Sequence, residues 1–211
     1  MPNVGKMLVT AGPTHEPLDP VRYLANRSSG KTGAAIAEAA ADAGWAVTLL
    51  LGPGAVEPPA GLKTVRFETS NELEQLLDKY FHVCDVLVMA AAVSDYRPAH
   101  ISFDKLPRKD EPFTLELEPI PDLVAACAER KREDQFIVGF ALDEQTGLAE
   151  RAKQKLERKK LDAIVANPLP TMAAADIDAT VITREGESHE PGKMDKNRFA
   201  EWLVEWLEDE L

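Results

Sequence analysis

Cysteine is nearly absent from this sequence: Cys84 and Cys127 stand singly in apolar segments, without CxxC spacing, among 211 residues. That argues against a disulfide framework and a thiolate zinc site and suits a reducing compartment. The four histidines, His15, His82, His100 and His189, share no ligand spacing, so no zinc centre and no protein-held metal is expected. Positive charge is also scarce, with 24 Lys and Arg against 36 Asp and Glu and a net charge of −12. So acidic a chain is no general binder of nucleic acid or of anionic membranes, and any phosphate it takes must be held by local groups. No apolar run approaches the roughly 18 residues of a membrane span. The opening MPNVGKMLVTAG has no charged region followed by a long apolar stretch, so a cytoplasmic protein is expected. Two glycine fingerprints are missing as well. The first strand runs into Gly12-Pro13-Thr14-His15 instead of GxGxxG, and Gly30-Lys31-Thr32 has Ala25 where a P-loop needs glycine. There is no GxSxG elbow to mark a serine hydrolase.

What is present has ordinary globular composition, 45% apolar and 28% charged, over a length that suits one domain spanning residues 1–211. Short β-branched runs alternate with longer Ala/Leu/Glu/Lys segments, the rhythm of βαβ units. Strands are expected at Lys6 to Thr10, Ala46 to Leu51, Leu62 to Phe67, Val86 to Ala90, Phe136 to Ala141 and Ala163 to Ala166. Helices are expected at Thr32 to Ala43, Asn71 to Phe81, Asp122 to Arg130, Leu148 to Lys159 and Asn197 to Leu207. The strands are almost continuously hydrophobic, as in sheets covered on both faces. The fold class is therefore α/β, a Rossmann-like, doubly wound, mostly parallel sheet. Two connections break the rhythm. Ala11 to Gly30 and Arg97 to Phe113 are far longer than the roughly two to six residues usual between strand and helix, and such loops are commonly functional. After Pro168 to Asp178, the pattern ATVITR suggests an edge hairpin.

Four constellations carry chemistry. Asn26-Arg27-Ser28-Ser29-Gly30-Lys31-Thr32-Gly33 opens a helix, where backbone N–H groups, hydroxyls and the positive dipole end can cradle a phosphate. Alternatively, Ser28 or Ser29 is simply the helix N-cap. Ala90-Ala91-Ala92-Val93-Ser94-Asp95-Tyr96 follows a buried strand, and small side chains at that strand's carboxyl end let a ligand approach the backbone. Asp95 there either orients a ligand or caps a turn. Lys105 sits in the second long loop, where it either folds over phosphates or is merely solvated. Lys155 and Lys159 share a face of a basic helical run, a feature that is most often solvated surface.

Taken in order, LVTAGPTHEPLDPVRYLANRSSGKTG, AAAVSDYRP, Lys105, PDLV, IVGFA and KxxxKKLDAIVAN resemble the phosphopantothenoylcysteine synthetase family, the ligases of coenzyme A biosynthesis. The likeness runs from about Met7 to Asn167. It implies condensation of 4′-phosphopantothenate with L-cysteine through an acyl-cytidylate, using CTP and Mg²⁺ and releasing pyrophosphate and CMP. By the same resemblance Asn26, Lys105 and Arg22 serve the chemistry, and Gly12, Ala91 and Ala92 approach the intermediate. Ser28, Ser29, Gly30, Asp95, Pro121, Asp122, Leu123, Val124, Phe140, Lys155 and Lys159 would hold the nucleotide. It further implies a homodimer with a flap and dimer region at about 97–118 and 168–190. No flavin-dependent decarboxylase half is expected, so that partner flavoprotein would be a separate chain. The sequence departs from the family pattern at Arg108, Pro119-Ile120, Leu142-Asp143, Pro168 and Pro13, positions that bear on base selection more than on phosphate chemistry. Two rivals remain at this level: a nicotinamide-dependent oxidoreductase, which the fold rhythm alone suggests, and a catalytically silent nucleotide-binding partner of a flavoprotein.

Overall fold

The computed structural model of the chain describes residues 5–54, 56–108, 110–171 and 174–211. Within the two segments expected to form the flap, Lys109, Met172 and Ala173 lie outside the described residues. Six parallel strands form most of the central sheet: β1 (Lys6–Ala11), β2 (Ala46–Leu51), β3 (Lys63–Arg66), β4 (Val86–Met89), β5 (Phe136–Asp143) and β6 (Ala163–Pro168). At its edge β7 (Thr180–Thr183) and β8 (Ser188–His189) pair antiparallel, which is the hairpin expected from ATVITR. Their spatial order, β3-β2-β1-β4-β5-β6-β7-β8, is that of a doubly wound sheet, reversing direction between β1 and β4. The expected helices form as α1 (Lys31–Asp42), α2 (Ser70–Tyr80), α3 (Leu123–Glu129), α4 (Leu148–Lys159) and α5 (Lys196–Glu210).

Side-chain alternation sorts the strands into two cores. Met7, Val9 and Ala11 of β1 pack with Ile36, Ala37 and Ala40 of α1 and with Phe199 and Leu203 of α5. Leu8 points the other way, into a core with Leu73 and Leu77 of α2, Cys127 of α3 and Leu156 of α4. Burial on both faces explains why these strands read as unbroken apolar runs. Both cysteines are free and buried in the second core, where burial pushes the Cys84 thiol up to about 12. Among the described residues no helix is long and apolar enough to cross a membrane.

The two long connections are ordered by short ladders of their own. In the first, His15–Pro17 pairs antiparallel with Tyr23–Ala25, and the His15 and Tyr23 rings stack at 3.7 Å. In the second, Tyr96–Pro98 pairs with Leu117–Pro119. Buried Glu16 ties the first connection to α2, accepting from the Ser70 backbone N–H (3.0 Å) and hydroxyl (3.1 Å). The second connection docks on the first through Ser102 N–H to the Leu18 carbonyl, at 2.9 Å.

Helix α1 lies unusually close to β1. A Cβ at Gly33 would sit 2.6 Å from Ala11 Cβ and 2.9 Å from the Thr10 carbonyl oxygen. At Gly30, which has φ +77°, it would meet the Gly12 backbone at 3.1 Å. These contacts aim the start of α1 at the carboxyl end of the sheet. Gly33→Ala should therefore destabilise the fold by about 1–3 kcal/mol, the usual penalty of overpacking. A urea melt checks this through a lowered midpoint at unchanged slope.

Candidate functional site

A cavity of about 540 Å³ opens at the carboxyl ends of β4 and β5, beside the point where the strand order reverses. Ligands of open α/β sheets bind at this edge. Its wall is assembled from distant parts of the chain: the turn before α1, the segment after β4, the start of α3, the end of β5, one side of α4 and the start of α5. Fourteen of the sequence-predicted residues line it: Asn26, Ser28, Ser29, Gly30, Ala91, Ala92, Asp95, Pro121, Asp122, Leu123, Val124, Phe140, Lys155 and Lys159. Gly12, Arg22 and Lys105 do not. Gly12 is buried behind Gly30 as the close-packing partner of the α1 turn.

The α1 turn departs from the capping alternative. Its N-cap is Gly30, in the left-handed region, and no side chain caps the helix; the Ser28 hydroxyl instead accepts from Gly30 N–H at 3.3 Å. The first turn contains no acidic residue. Its free N–H groups and the positive end of the helix dipole therefore face the cavity.

The segment after β4 is held against the end of β1. Ala92 N–H donates to the Gly12 carbonyl (2.9 Å), and Ala91 N–H to the Thr10 hydroxyl oxygen (3.1 Å). Asn26 Nδ2 donates to the carbonyls of Ala92 (3.3 Å) and Val93 (3.1 Å), which couples the α1 turn to this segment. Asn26 Oδ1 accepts from no described group, so it is the end of that amide left for a ligand. The Asp95 carbonyl accepts from Ile120 N–H at 2.9 Å, while its exposed carboxylate pairs with no described cation.

Five cations, Lys31, Lys155, Arg158, Lys159 and Lys196, line the cavity against two carboxylates, Asp95 and Asp122. In a chain of net charge −12 this is a local reversal of sign. Lys159 pairs with Asp122 at 2.9 Å, and Lys155 with Asp143 at 3.3 Å. Asp143 is held below the usual carboxylate range by the Glu144 N–H and by Arg151, with Lys155 adding to them against desolvation. Asp122 also caps α3 by accepting from Ala125 N–H at 3.2 Å. Lys31, Arg158, Lys196, Asn167 and Thr171 were not singled out from the sequence as site residues. Lys31 and Asn167 lay inside the quoted motifs and Arg158 inside the basic run, but no spacing signal exists for Lys196 or Thr171.

Arg22 instead contacts the residue that follows Lys105. The buried Asp19 carboxylate accepts from the Arg22 guanidinium and from the backbone N–H groups of Val21 (2.9 Å), Arg22 (2.9 Å) and Leu106 (3.0 Å). Arg22 also donates to the Leu106 carbonyl at 2.8 Å. Arg22 and Asp19 thus clamp the residue after Lys105, while Lys105 itself is exposed. Histidine, without ligand spacing in the sequence, does acquire acidic neighbours in space: His189, Glu187 and Glu210 bring ligand atoms within 4.8 Å. Both glutamates are exposed, and none of the three lines the cavity.

Residues 3–211 match the family described as DNA/pantothenate metabolism flavoprotein C-terminal domain. The chain belongs to this family. It is 42% identical over 164 residues to the coenzyme A biosynthesis bifunctional protein CoaBC of Escherichia coli K12, covering 76% of this chain and 40% of that protein. Against the protein of the same name from Vibrio cholerae it is 38% identical over 215 residues, covering 99% of this chain and 53% of that one. The chain therefore spans about half or less of the length of these relatives. A crystal structure of the CoaBC C-terminal domain superposes with a TM-score of 0.81 at 34% identity, covering 97% of this chain and 96% of that one. The fold is shared also with a Cab2 variant in complex with phosphopantothenate-cysteine, with a TM-score of 0.82 at 19% identity, covering 98% of this chain and 87% of that one.

The Asp19 clamp generates a pH-dependent prediction. The Arg22 guanidinium, opposed by burial and aided by the N–H groups of Val21, Leu106 and Arg22, holds the Asp19 carboxyl well below its ordinary 3.8. The stability it contributes is complete above that ordinary value and is lost as pH falls through the lowered one. Asp19→Asn should speed hydrogen exchange in residues 97–108 at neutral pH and make the acid decline in stability shallower than in the wild type. Hydrogen exchange and acid-titrated melts measure the two effects.

Proposed function

We propose that this chain is a cytoplasmic ligase that joins 4′-phosphopantothenate to L-cysteine through an acyl-nucleotide intermediate, with CTP preferred to ATP. The observation that carries the reading is the convergence of motif residues from five separated segments on one cation-rich cavity at the switch point of the sheet. The chain's family and the names of its CoaBC relatives support the same chemistry.

A carboxylate does not condense with an amine at neutral pH, because its oxygen is a poor leaving group. Activation supplies a better one. The pantothenate carboxylate oxygen attacks the α-phosphorus of the nucleotide, and the bond to the bridging oxygen breaks, leaving its electron pair on pyrophosphate. The cysteine amine then attacks the acyl carbon, CMP departs with the acyl C–O electrons, and the amine proton passes to solvent. Both steps gather anions, so the protein's task is to position them and neutralise their charge, and positioning alone is worth roughly 7–11 kcal/mol.

The chain's own groups suit those tasks. The open first turn of α1 receives phosphate oxygens, while Ala91 and Ala92 let the acyl group lie against backbone. Asn26 spans the junction between the two. The starts of α3 and β5's end, with Leu123, Val124 and Phe140, form the apolar wall for the base. Asp95 offers one unpaired carboxylate, which fits Mg²⁺ brought in on a triphosphate, since that ion is held by one or two carboxylates together with phosphate oxygens. There it would screen the phosphate charge. Lys105, carried on the clamped second connection, closes over the phosphates.

The same connections support a homodimer. Val21, Tyr23, Tyr96, Ile101, Phe103, Phe113 and Leu117 are all exposed large hydrophobics carried on these two insertions, Phe103 at 96%. Exposed large hydrophobics concentrated on two connections suit an interaction surface.

Two measurements test the reading. Purified protein mixed with phosphopantothenate, cysteine and each common triphosphate should release pyrophosphate and form the amide, fastest with CTP. Lys105→Ala should lower turnover roughly 10² to 10³-fold, as when one preorganised charge-stabilising group is lost. Nucleotide binding without pyrophosphate release would point instead to a silent binding partner. For the assembly, sedimentation should give a dimer for the wild type and a monomer for Phe103→Glu; a monomeric wild type defeats the dimer.

A further inference from the structure

Lys196 is the first residue of α5 and is only 8% exposed, yet it enters no salt bridge or side-chain hydrogen bond with any described residue. Buried lysines are almost always paired, because an ammonium removed from water without a counter-charge is strongly penalised. Of the other cations of the wall, half-buried Lys155 and Lys159 reach Asp143 and Asp122, while exposed Arg158 pairs with no described residue. Lys196 faces the cavity together with Lys31, the first residue of α1, likewise unpaired among the described residues. The two helices pack on the same face of the sheet, within one core. Burial, with the like charge of Lys31 nearby, disfavours the Lys196 ammonium.

Two unpartnered ammoniums therefore stand beside the three N–H groups of the uncapped first turn of α1. Asp195 cannot serve as counter-charge, since its carboxylate accepts from the Asn197 (3.0 Å) and Arg198 (3.1 Å) N–H groups as the α5 cap. Lys31 is exposed to solvent, and a multiply charged anion entering the cavity would meet both ammoniums and the open turn together. We propose that Lys196 and Lys31, with the first turn of α1, bind the outer two phosphates of the triphosphate and hold the departing pyrophosphate. This deepens the ligase reading and rests on it. As the bond from the α-phosphorus to the bridging oxygen breaks, its electrons stay on pyrophosphate, and the two ammoniums stabilise that charge without transferring a proton.

The test is calorimetric titration of the full chain with inorganic pyrophosphate, CTP and CMP, for the wild type, Lys196→Met and Lys196→Arg. Lys196→Met should weaken pyrophosphate and CTP at least tenfold, leave CMP within about twofold, and melt no lower than the wild type without ligand. Lys196→Arg should recover most of the pyrophosphate affinity. Unchanged pyrophosphate affinity in Lys196→Met, or an equal loss for CMP, overturns the proposal. So does a large fall in its unliganded melting temperature, which would make Lys196 a structural support. Assaying amide formation by the wild type separates the two readings. Pyrophosphate held through Lys196 with no amide formed leaves the subsite standing and removes the ligase; amide formed with pyrophosphate indifferent to Lys196 does the reverse.

Discussion

The contact on which the rest of the structure depends is the close approach of α1 to β1. Gly33 leaves no room for a side chain over Ala11, and Gly30 lies on the backbone of Gly12. This is the packing task that the glycines of a dinucleotide fingerprint perform, achieved here after a twenty-residue excursion instead of a tight turn. Because the helix is pressed onto the first strand, its uncapped start projects over the carboxyl edge, beside the segment that follows β4. The orphan N–H groups, the strand-end alanines and Asn26 then face a common space. A side chain at either glycine would lift the helix and spread those groups apart.

Buried carboxylates hold the two insertions in place. Glu16 takes the orphan donors at the start of α2, and Asp19 gathers the Arg22 guanidinium with three backbone N–H groups. Both satisfy the requirement that buried polar groups be hydrogen-bonded. The consequence is electrostatic as well as mechanical. Negative charge is spent on anchoring loops and on pairing with Lys155 and Lys159, while Lys31, Arg158 and Lys196 line the cavity without a described counter-charge. A strongly acidic protein thereby keeps this cavity positive in spite of its net charge of −12.

Arg22 and Lys105 show how motif and geometry divide. Both stand out in the sequence, one within the first insertion and one in the second. Neither lines the cavity; Arg22 and Asp19 instead hold the backbone of Leu106, the residue after Lys105. An arginine that grips the backbone next to an exposed lysine couples the position of one connection to the other. No spacing rule announces that relation, because it depends on where two long loops fold back over the sheet.

The central strands and helices were legible because burial on both sheet faces leaves an unbroken apolar signal, and helices carry a 3.6-residue period. The fourteen residues that line the cavity were legible for a different reason: their types repeat a family pattern in order. What the linear chain determined was therefore the layers, the strand-to-helix rhythm and the chemical kinds gathered at the strand ends. Only the tertiary structure decided that the start of α5 returns beside the start of α1, placing Lys196 opposite Lys31, and that α1 stands uncapped although two serines precede it. Those outcomes turn on packing between segments far apart in the chain and on which counter-charges come within reach, quantities that local pattern does not encode.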